Sequence, residues 1–458
     1  MTILEAAKQL KAGALTSAGL VDQTLAAISE KDGDLNAFIT VLDGPARARA
    51  KELDSEFAQG KYRGPLHGVP VAVKDLFHMK GVRTTAGSKL FEDLVSSFDS
   101  TVVEKLEAAG AVIVGKTNLH ELAYGVTSNN PHFGPVHNPH NLDCVPGGSS
   151  GGSGAAVAAG IVPMGMGTDT GGSIRIPATF CGTVGLKPTF GLVSKFGCMP
   201  LGLSLDHMGP LTMTVRDTAV TMDAIAGHDP RDPNTSARAV ESYGPSDNPS
   251  LAGVRIGWPV NFYFDSLDGE VRKSVENARA LAESLGASVT DVRVPDIAAL
   301  NTISRVILMS EASAVLERYL GDRSKFGADV LALLDQGRLL PATDYVNAQR
   351  ARRVMQEEFR QLFEVVDCIF TPASPIPAPR IDQKSVMVDG VEEDVRLAAT
   401  RFVRGINALG LPALSLPCGH SGTGLPIGLQ IVGRAFEEKF LLQVGAALET
   451  ALFAVPPA

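Results

Sequence analysis

Apolar residues recur at helical spacing through the first 60 residues. Ile3, Ala6 and Leu10 share one face of a first segment, and Leu20, Leu25 and Ile28 share one face of a second that is entered at Ser17. This spacing predicts a helical lead-in over residues 1–60. From Leu66 the period changes. Residues 69–73 read as a short apolar strand, 101–109 as a helix and 111–114 as a second strand. Further along, 254–258 and 288–294 are strand-like around a helical stretch at 269–285. Residues 311–363 are mostly helical, and 368–371 form a strand that runs into Pro372, Pro375, Pro377 and Pro379. Polar, proline-rich clusters at 229–234 and 245–249 punctuate this alternation without forming linkers. No internal repeat is present, so one large α/β domain over residues 61–458 is the economical reading.

Composition narrows the classes. A chain of 458 residues that is 45% hydrophobic has ample material for a large core. With 41 Lys and Arg against 50 Asp and Glu, the net charge of −9 supplies no basic footprint for nucleic acid. The most apolar stretch, 155–166, is shorter than the ~18 residues of a membrane span and contains Pro163, so no membrane partner is expected. Cys144, Cys181, Cys198, Cys368 and Cys418 are scattered, odd in number and without a C-x-x-C pair. That usage fits a reduced, cytoplasmic setting, and the first residues carry no export signal. The 47 glycines direct attention to places where backbone must approach closely.

Two glycine windows carry candidate chemistry. Residues 147–154 read GGSSGGSG. A flexible linker fits poorly, because a small-residue helix former follows at once. A phosphate cradle would lack any Lys or Arg between Lys116 and Arg175. A third reading is that the glycines let a serine hydroxyl be held at a fixed point. In the second window, residues 167–175, Gly171 and Gly172 precede Ser173 as in a nest of backbone N–H groups suited to an oxyanion. An ordinary turn closed by an Asp169–Arg175 ion pair would account for the same residues. The window is not the G-x-S-x-G elbow of α/β-hydrolases, so no histidine base is implied.

Lys74 ends the apolar strand and precedes Asp75. Desolvation there would lower its pKa toward that of a neutral base, while a lysine that snorkels to water is the plainer alternative. Residues 110–117 match the phosphate-loop pattern GxxxxGKT, but a strand lies where the loop should be, so nucleotide binding is not expected. His132, His137 and His140 lie among prolines without a well-spaced fourth ligand, and read as loop residues. The Asn234-Thr-Ser236 glycosylation match lacks an exported context.

Taken together, the segments 66–75, 147–153, 167–175, 185–188, 407–412 and 424–430 resemble the amidase signature hydrolases, in order and over nearly the whole chain. The intervals from Lys74 to Ser149 and on to Ser173 are similar to that family's lysine–serine–serine spacing. The resemblance implies a single large α/β domain with a mixed twisted β-sheet flanked by α-helices. It also implies Ser173 as acyl-forming nucleophile, Ser149 in a cis peptide as bridge and Lys74 as base. Thr170, Gly171, Gly172 and Ser173 would form the oxyanion hole, and Ala123, Tyr124, Gly125 and Ser128 would contact substrate. Ser150, Asp169 and Arg175 would support them, with no metal and no cofactor.

The function implied is hydrolysis of C–N bonds in small amides. Residues 124–134 carry no charged side chain, and Arg305 and Glu311 are the only charges in the largely apolar stretch 303–313. A site for a carboxylate would normally offer a bidentate Arg, so neutral aryl or alkyl amides are the expected substrates, with esters or carbamates as side activities. The alternative is the glutamine-hydrolysing component of a tRNA-dependent amidotransferase. No Arg and Asp pair suited to a free amino acid stands out in 304–363 or near Asn407. An inactive scaffold is disfavoured because all three triad positions carry the required residue type, and a homodimer is compatible with everything above.

Overall fold

The computed structural model describes residues 1–244 and 249–454, so most of the proline-rich cluster at 245–249 lies outside the described residues. Eleven strands form one mixed sheet. In chain order they are β1 (Phe38–Val41), β2 (Pro70–Lys74), β3 (Val112–Thr117), β4 (Met164–Asp169), β5 (Val184–Lys187), β6 (His207–Thr212), β7 (Arg255–Pro259), β8 (Ser288–Val292), β9 (Cys368–Pro372), β10 (Ala413–His420) and β11 (Pro426–Gly433). Their spatial order is β1-β3-β2-β4-β6-β5-β10-β11-β9-β7-β8. β2 runs parallel to both β3 and β4, whereas β6, β5, β10, β11 and β9 follow one another antiparallel. β7 returns to a parallel pairing with β9 and with β8.

Fourteen α-helices are described around this sheet: α1 (Ile3–Lys11), α2 (Ser17–Leu35), α3 (Asp43–Ala58), α4 (Thr101–Ala108), α5 (Gly151–Ala158), α6 (Arg175–Cys181), α7 (Val215–Ile225), α8 (Gly269–Ser284), α9 (Ile297–Leu316), α10 (Ala328–Arg338), α11 (Ala342–Val365), α12 (Val395–Thr400), α13 (Arg404–Leu409) and α14 (Glu438–Ala454). Among the described residues none is long and apolar enough to cross a membrane. β2 is flanked by parallel strands and covered on both sides, which is why its sequence is apolar up to the closing lysine. Ala72 packs with α2, α3 and α5, whereas Val71 and Val73 pack into the larger core. Two-residue alternation then puts Lys74 on the α5 side.

Three differences from the sequence expectation have physical causes. The lead-in is not purely helical, because residues 38–41 form β1 and pair antiparallel with β3 at the sheet edge. That run is too short, between two helices, for alternation to register. The strand expected at 111–114 runs on to Thr117, carrying the phosphate-loop match into the buried sheet. It can do so because Lys116 is fully buried in an ion pair of 2.9 Å with Asp75. The hairpin of β10 and β11 has no counterpart in the sequence expectation, since its proline- and glycine-rich sequence lacks a two-residue period.

Removing one partner of such a pair leaves an uncompensated charge in the core. Lys116→Met leaves the Asp75 carboxylate with hydrogen bonds from Thr85 alone. It is expected to cost about 3 kcal/mol. A urea titration checks this, with a lower midpoint at unchanged slope. A loss below about 1 kcal/mol would mean that the pair contributes little.

Candidate active site

Lys74 closes β2 with its ammonium fully enclosed. Its Nζ lies 2.8 Å from Ser149 Oγ, 3.0 Å from Ser150 Oγ and 2.8 Å from Thr168 Oγ1. No carboxylate pairs with it among the described residues, and burial lowers its pKa to about 7. Three hydroxyls saturate the ammonium; once the nitrogen is neutral it has a lone pair, and one hydroxyl must turn to donate to it. Ser150 is the least free to do so. Its Oγ donates to Thr168 O at 3.2 Å and accepts from Thr168 N at 3.2 Å, fastening the first glycine window to β4.

The glycines of that window answer to contacts. A Cβ at Gly152 would stand 2.4 Å from the carbonyl oxygens of Ala37 and Asn118, so only glycine lets α5 start here. The Gly148–Ser149 peptide is cis. Ser128 is fully buried, in the left-handed region at φ 58°. Its hydroxyl donates to Gly147 O at 2.9 Å and accepts from Gly151 N at 3.1 Å. Ser128 thus holds the serine loop in place, and it is not among the residues that line the cavity described below.

The second window turns around one carboxylate. Asp169 accepts from Gly172 N at 2.7 Å, from Ile174 N at 3.1 Å and from Arg175 Nε and Nη2 at 3.0 Å each. Asn407 Nδ2 donates to the same carboxylate at 2.8 Å. Burial alone would raise the Asp169 pKa. The Arg175 guanidinium, with Lys187 and the Asn407 amide, outweighs it and holds the carboxyl well below its ordinary range. Arg175 further donates to Val403 O and Gln430 Oε1. The turn closed by the Asp169–Arg175 ion pair, one of the two readings open in the sequence, is therefore present.

The four N–H groups expected to meet an oxyanion are not equivalent in this arrangement. The Gly172 N–H is committed to Asp169, while those of Thr170, Gly171 and Ser173 have no hydrogen-bond partner among the described residues. Gly172 has φ +122°, and a Cβ there would lie 2.4 Å from Val403 Cγ2. Ser173 is 6% exposed and borders a cavity also lined by Ala123, Tyr124, Gly125, Thr170 and Gly171. The two windows meet where Ser150 N donates to Ser173 O at 3.3 Å.

The cavity's far wall departs from the expected neutrality. Arg305 of α9, Arg396 of α12 and Arg404 of α13 all line it, and no Asp or Glu does so among the described residues. The stretches 124–134 and 303–313 hold only the first of these arginines, and the other two arrive from a segment nearly a hundred residues later. Nearby polarity is already engaged: His132, His137 and His140 bond separately to Glu121, Leu142 O and Cys181 O. The five cysteines are free thiols.

A mixed sheet that closes a buried lysine–serine cluster beneath a cavity is the framework of a known hydrolase class, and comparison with known proteins identifies it. The chain belongs to the amidase family, whose pattern matches residues 19–442. It is 42% identical to a glutamyl-tRNA(Gln) amidotransferase subunit from Anaeromyxobacter dehalogenans, over 99% of this chain and 96% of that relative. A solved structure described as an unexpected vestigial protein complex, revealing the evolutionary origins of an s-triazine catabolic enzyme, matches with TM-score 0.95 and 38% identity over 98% of both chains. A crystal structure of an amidase matches with TM-score 0.91 and 35% identity, over 98% of this chain and all of that one. Family, fold and hydrolysis of C–N bonds are thus common to the chain and its relatives.

The two adjacent glycines should respond differently to a methyl group. Gly172→Ala combines a left-handed backbone with a clash and is expected to lose at least about 2 kcal/mol. At Gly171 a Cβ would meet only Arg404 Cγ and Nε, at 3.8 and 3.9 Å, so Gly171→Ala should fold normally. Thermal midpoints of the two variants check this, and equal losses would contradict it.

Proposed function

We propose that the chain cleaves the C–N bond of a small amide through a seryl acyl-enzyme. The observation that carries this reading is Lys74: fully buried, unpaired with any carboxylate among the described residues, bonded to Ser149 and with its pKa lowered to about 7. In this mechanism Ser173 Oγ attacks the amide carbon as its proton passes to Ser149, whose own proton passes to neutral Lys74. The negative charge on the former carbonyl oxygen meets the N–H groups of Thr170, Gly171 and Ser173, donors preorganised where charge develops. Collapse breaks the C–N bond, and the proton returns from Lys74 through Ser149 to the departing nitrogen. Water repeats the sequence on the ester, releasing the acid and restoring Ser173.

A second reading takes the amide as glutamine and the chain as the ammonia-supplying component of a larger enzyme. The amidotransferase name of the curated relative favours it. That relative is named as one component of an assembly, and one structural neighbour is described as a complex. A different protein is therefore the better-supported partner than the second copy compatible with the sequence. Ammonia release from glutamine, measured on the chain alone and on material co-purified at native expression, tests this reading. Release that appears only in the co-purified assembly favours it.

Two outcomes test the shared chemistry. A fluorophosphonate should label Ser173, and Ser173→Ala should abolish both labelling and turnover; an adduct on another residue would sink the assignment. Neutral Lys74 is the active form, so the rate should rise with pH through a single ionisation near 7 and fall below it. Lys74→Ala should lose that ionisation along with at least ~100-fold in rate. A pH profile unchanged in Lys74→Ala would place the base elsewhere.

A further inference from the structure

The arginines of the cavity are not equivalent to the other buried cation beside the site. Arg175 is enclosed and engages Asp169, Val403 O, Asn407 and Gln430. Arg404, the first residue of α13, is 9% exposed, and its guanidinium makes no hydrogen bond or ion pair among the described residues. Among the described residues its Nε is buried without a partner, and so is the hydroxyl of Tyr124, itself 6% exposed in the same cavity. Buried polar groups are nearly always bonded, and each exception calls for a reason. Arg305 and Arg396, on the same wall, also lack an ion pair among the described residues.

Electrostatics sharpen the anomaly. Burial, reinforced by the charges of Arg305 and Arg396, lowers the Arg404 pKa to about 9. Tyr124 and Asp394 pull weakly the other way, and the Asp394 carboxylate is engaged in capping α12 through Leu397 N at 3.1 Å. Three like charges converging on one cavity with no acid among its lining residues are destabilising unless an anion joins them. The position of Arg404 is informative as well. Its Nε lies 3.9 Å from where a Cβ of Gly171 would be, two residues from Ser173. An anion held there sits only a few bonds from a carbonyl attacked by Ser173.

We propose that Arg404, with Arg305, Arg396 and the Tyr124 hydroxyl, forms a carboxylate-binding subsite, and that the amide cleaved at Ser173 carries a carboxylate and no ammonium group. The inference rests on the acyl-enzyme reading above and adds the substrate class: monoamides of short dicarboxylic acids and compounds of the same charge and length. A guanidinium offers a carboxylate two parallel N–H donors, and a phenol can add a third. The ammonium of a free α-amino acid would meet three cations and no acid, so glutamine fits this cavity less well than its deamino counterpart.

The test compares the monoamides of malonate, succinate and glutarate with the corresponding neutral diamides, and the glutarate monoamide with glutamine. The best monoamide should exceed its diamide in kcat/KM by at least ~100-fold, and the glutarate monoamide should exceed glutamine by at least ~10-fold. Arg404→Gln should collapse the monoamide-to-diamide ratio by at least ~30-fold, and Arg404→Lys should recover part of it. A diamide or glutamine that equals the monoamide in the wild type would overturn the proposal, as would an Arg404→Gln variant that leaves the ratio intact. A second measurement needs neither turnover nor an Arg404 variant that folds. The free dicarboxylate of matching length should slow fluorophosphonate labelling of wild-type Ser173, and its diamide should not. Labelling without that protection overturns the subsite and leaves the acyl-enzyme reading standing; absence of labelling at Ser173 overturns the acyl-enzyme reading itself.

Discussion

The ion pair between Asp169 and Arg175 is the constraint on which the site depends. It draws the N–H groups of Gly172 and Ile174 inward, and so leaves those of Thr170, Gly171 and Ser173 turned away from it. Through Arg175 it also fixes Val403 O and Asn407, which bracket the first turn of α13 and hence Arg404. One buried pair therefore sets the donors beside Ser173 and the cation across the cavity from it. A pair with both charges desolvated contributes little net stability over an apolar substitute. Here its value lies in geometry, because every lone pair and every guanidinium nitrogen has a partner.

Three buried lysines illustrate how the same desolvation is met differently. Lys116 is compensated by a carboxylate, Asp75. Lys187 is held by the carbonyl oxygens of Pro188 and Leu411. Lys74 has only hydroxyls among the described residues. Burial lowers the pKa in all three cases, but among the described residues only Lys74 has hydroxyls as its sole partners, groups that can both accept and donate a proton. Its neighbours, more than its burial, set it apart.

Much of this is legible in the chain, and the failures share a cause. The strand ending at Lys74 announces itself by its apolar run, and the two glycine windows by composition. What demands a glycine at position 152, however, is contact with the carbonyl oxygens of Ala37 and Asn118, far away in the chain. The direction of the Ser128 hydroxyl follows from a left-handed backbone, which no spacing rule reveals. The charge of the cavity escapes it because the wall is assembled from α9, α12 and α13. Arg404 lies three residues before the motif that begins at Asn407, within sight of the resemblance but outside it. A side chain's neighbourhood is a tertiary property, and periodicity carries no trace of a guanidinium left without a partner.

The short strand β1 ties the start of the chain to this machinery. Leu42 N bonds to Val114 O and Asn118 N to Ala37 O, both at 2.8 Å, and the Ala37 carbonyl is one of the oxygens that a side chain at Gly152 would strike. Residues 36–42 thus close the edge of β3 and at the same time form the floor against which the serine-bearing loop rests. Removing residues 36–42 would therefore take away the partner of β3 and the floor of the serine loop together. A polypeptide that started at the first recognisable motif would present β3 as an open edge, ready to pair with another molecule instead of with its own N-terminus.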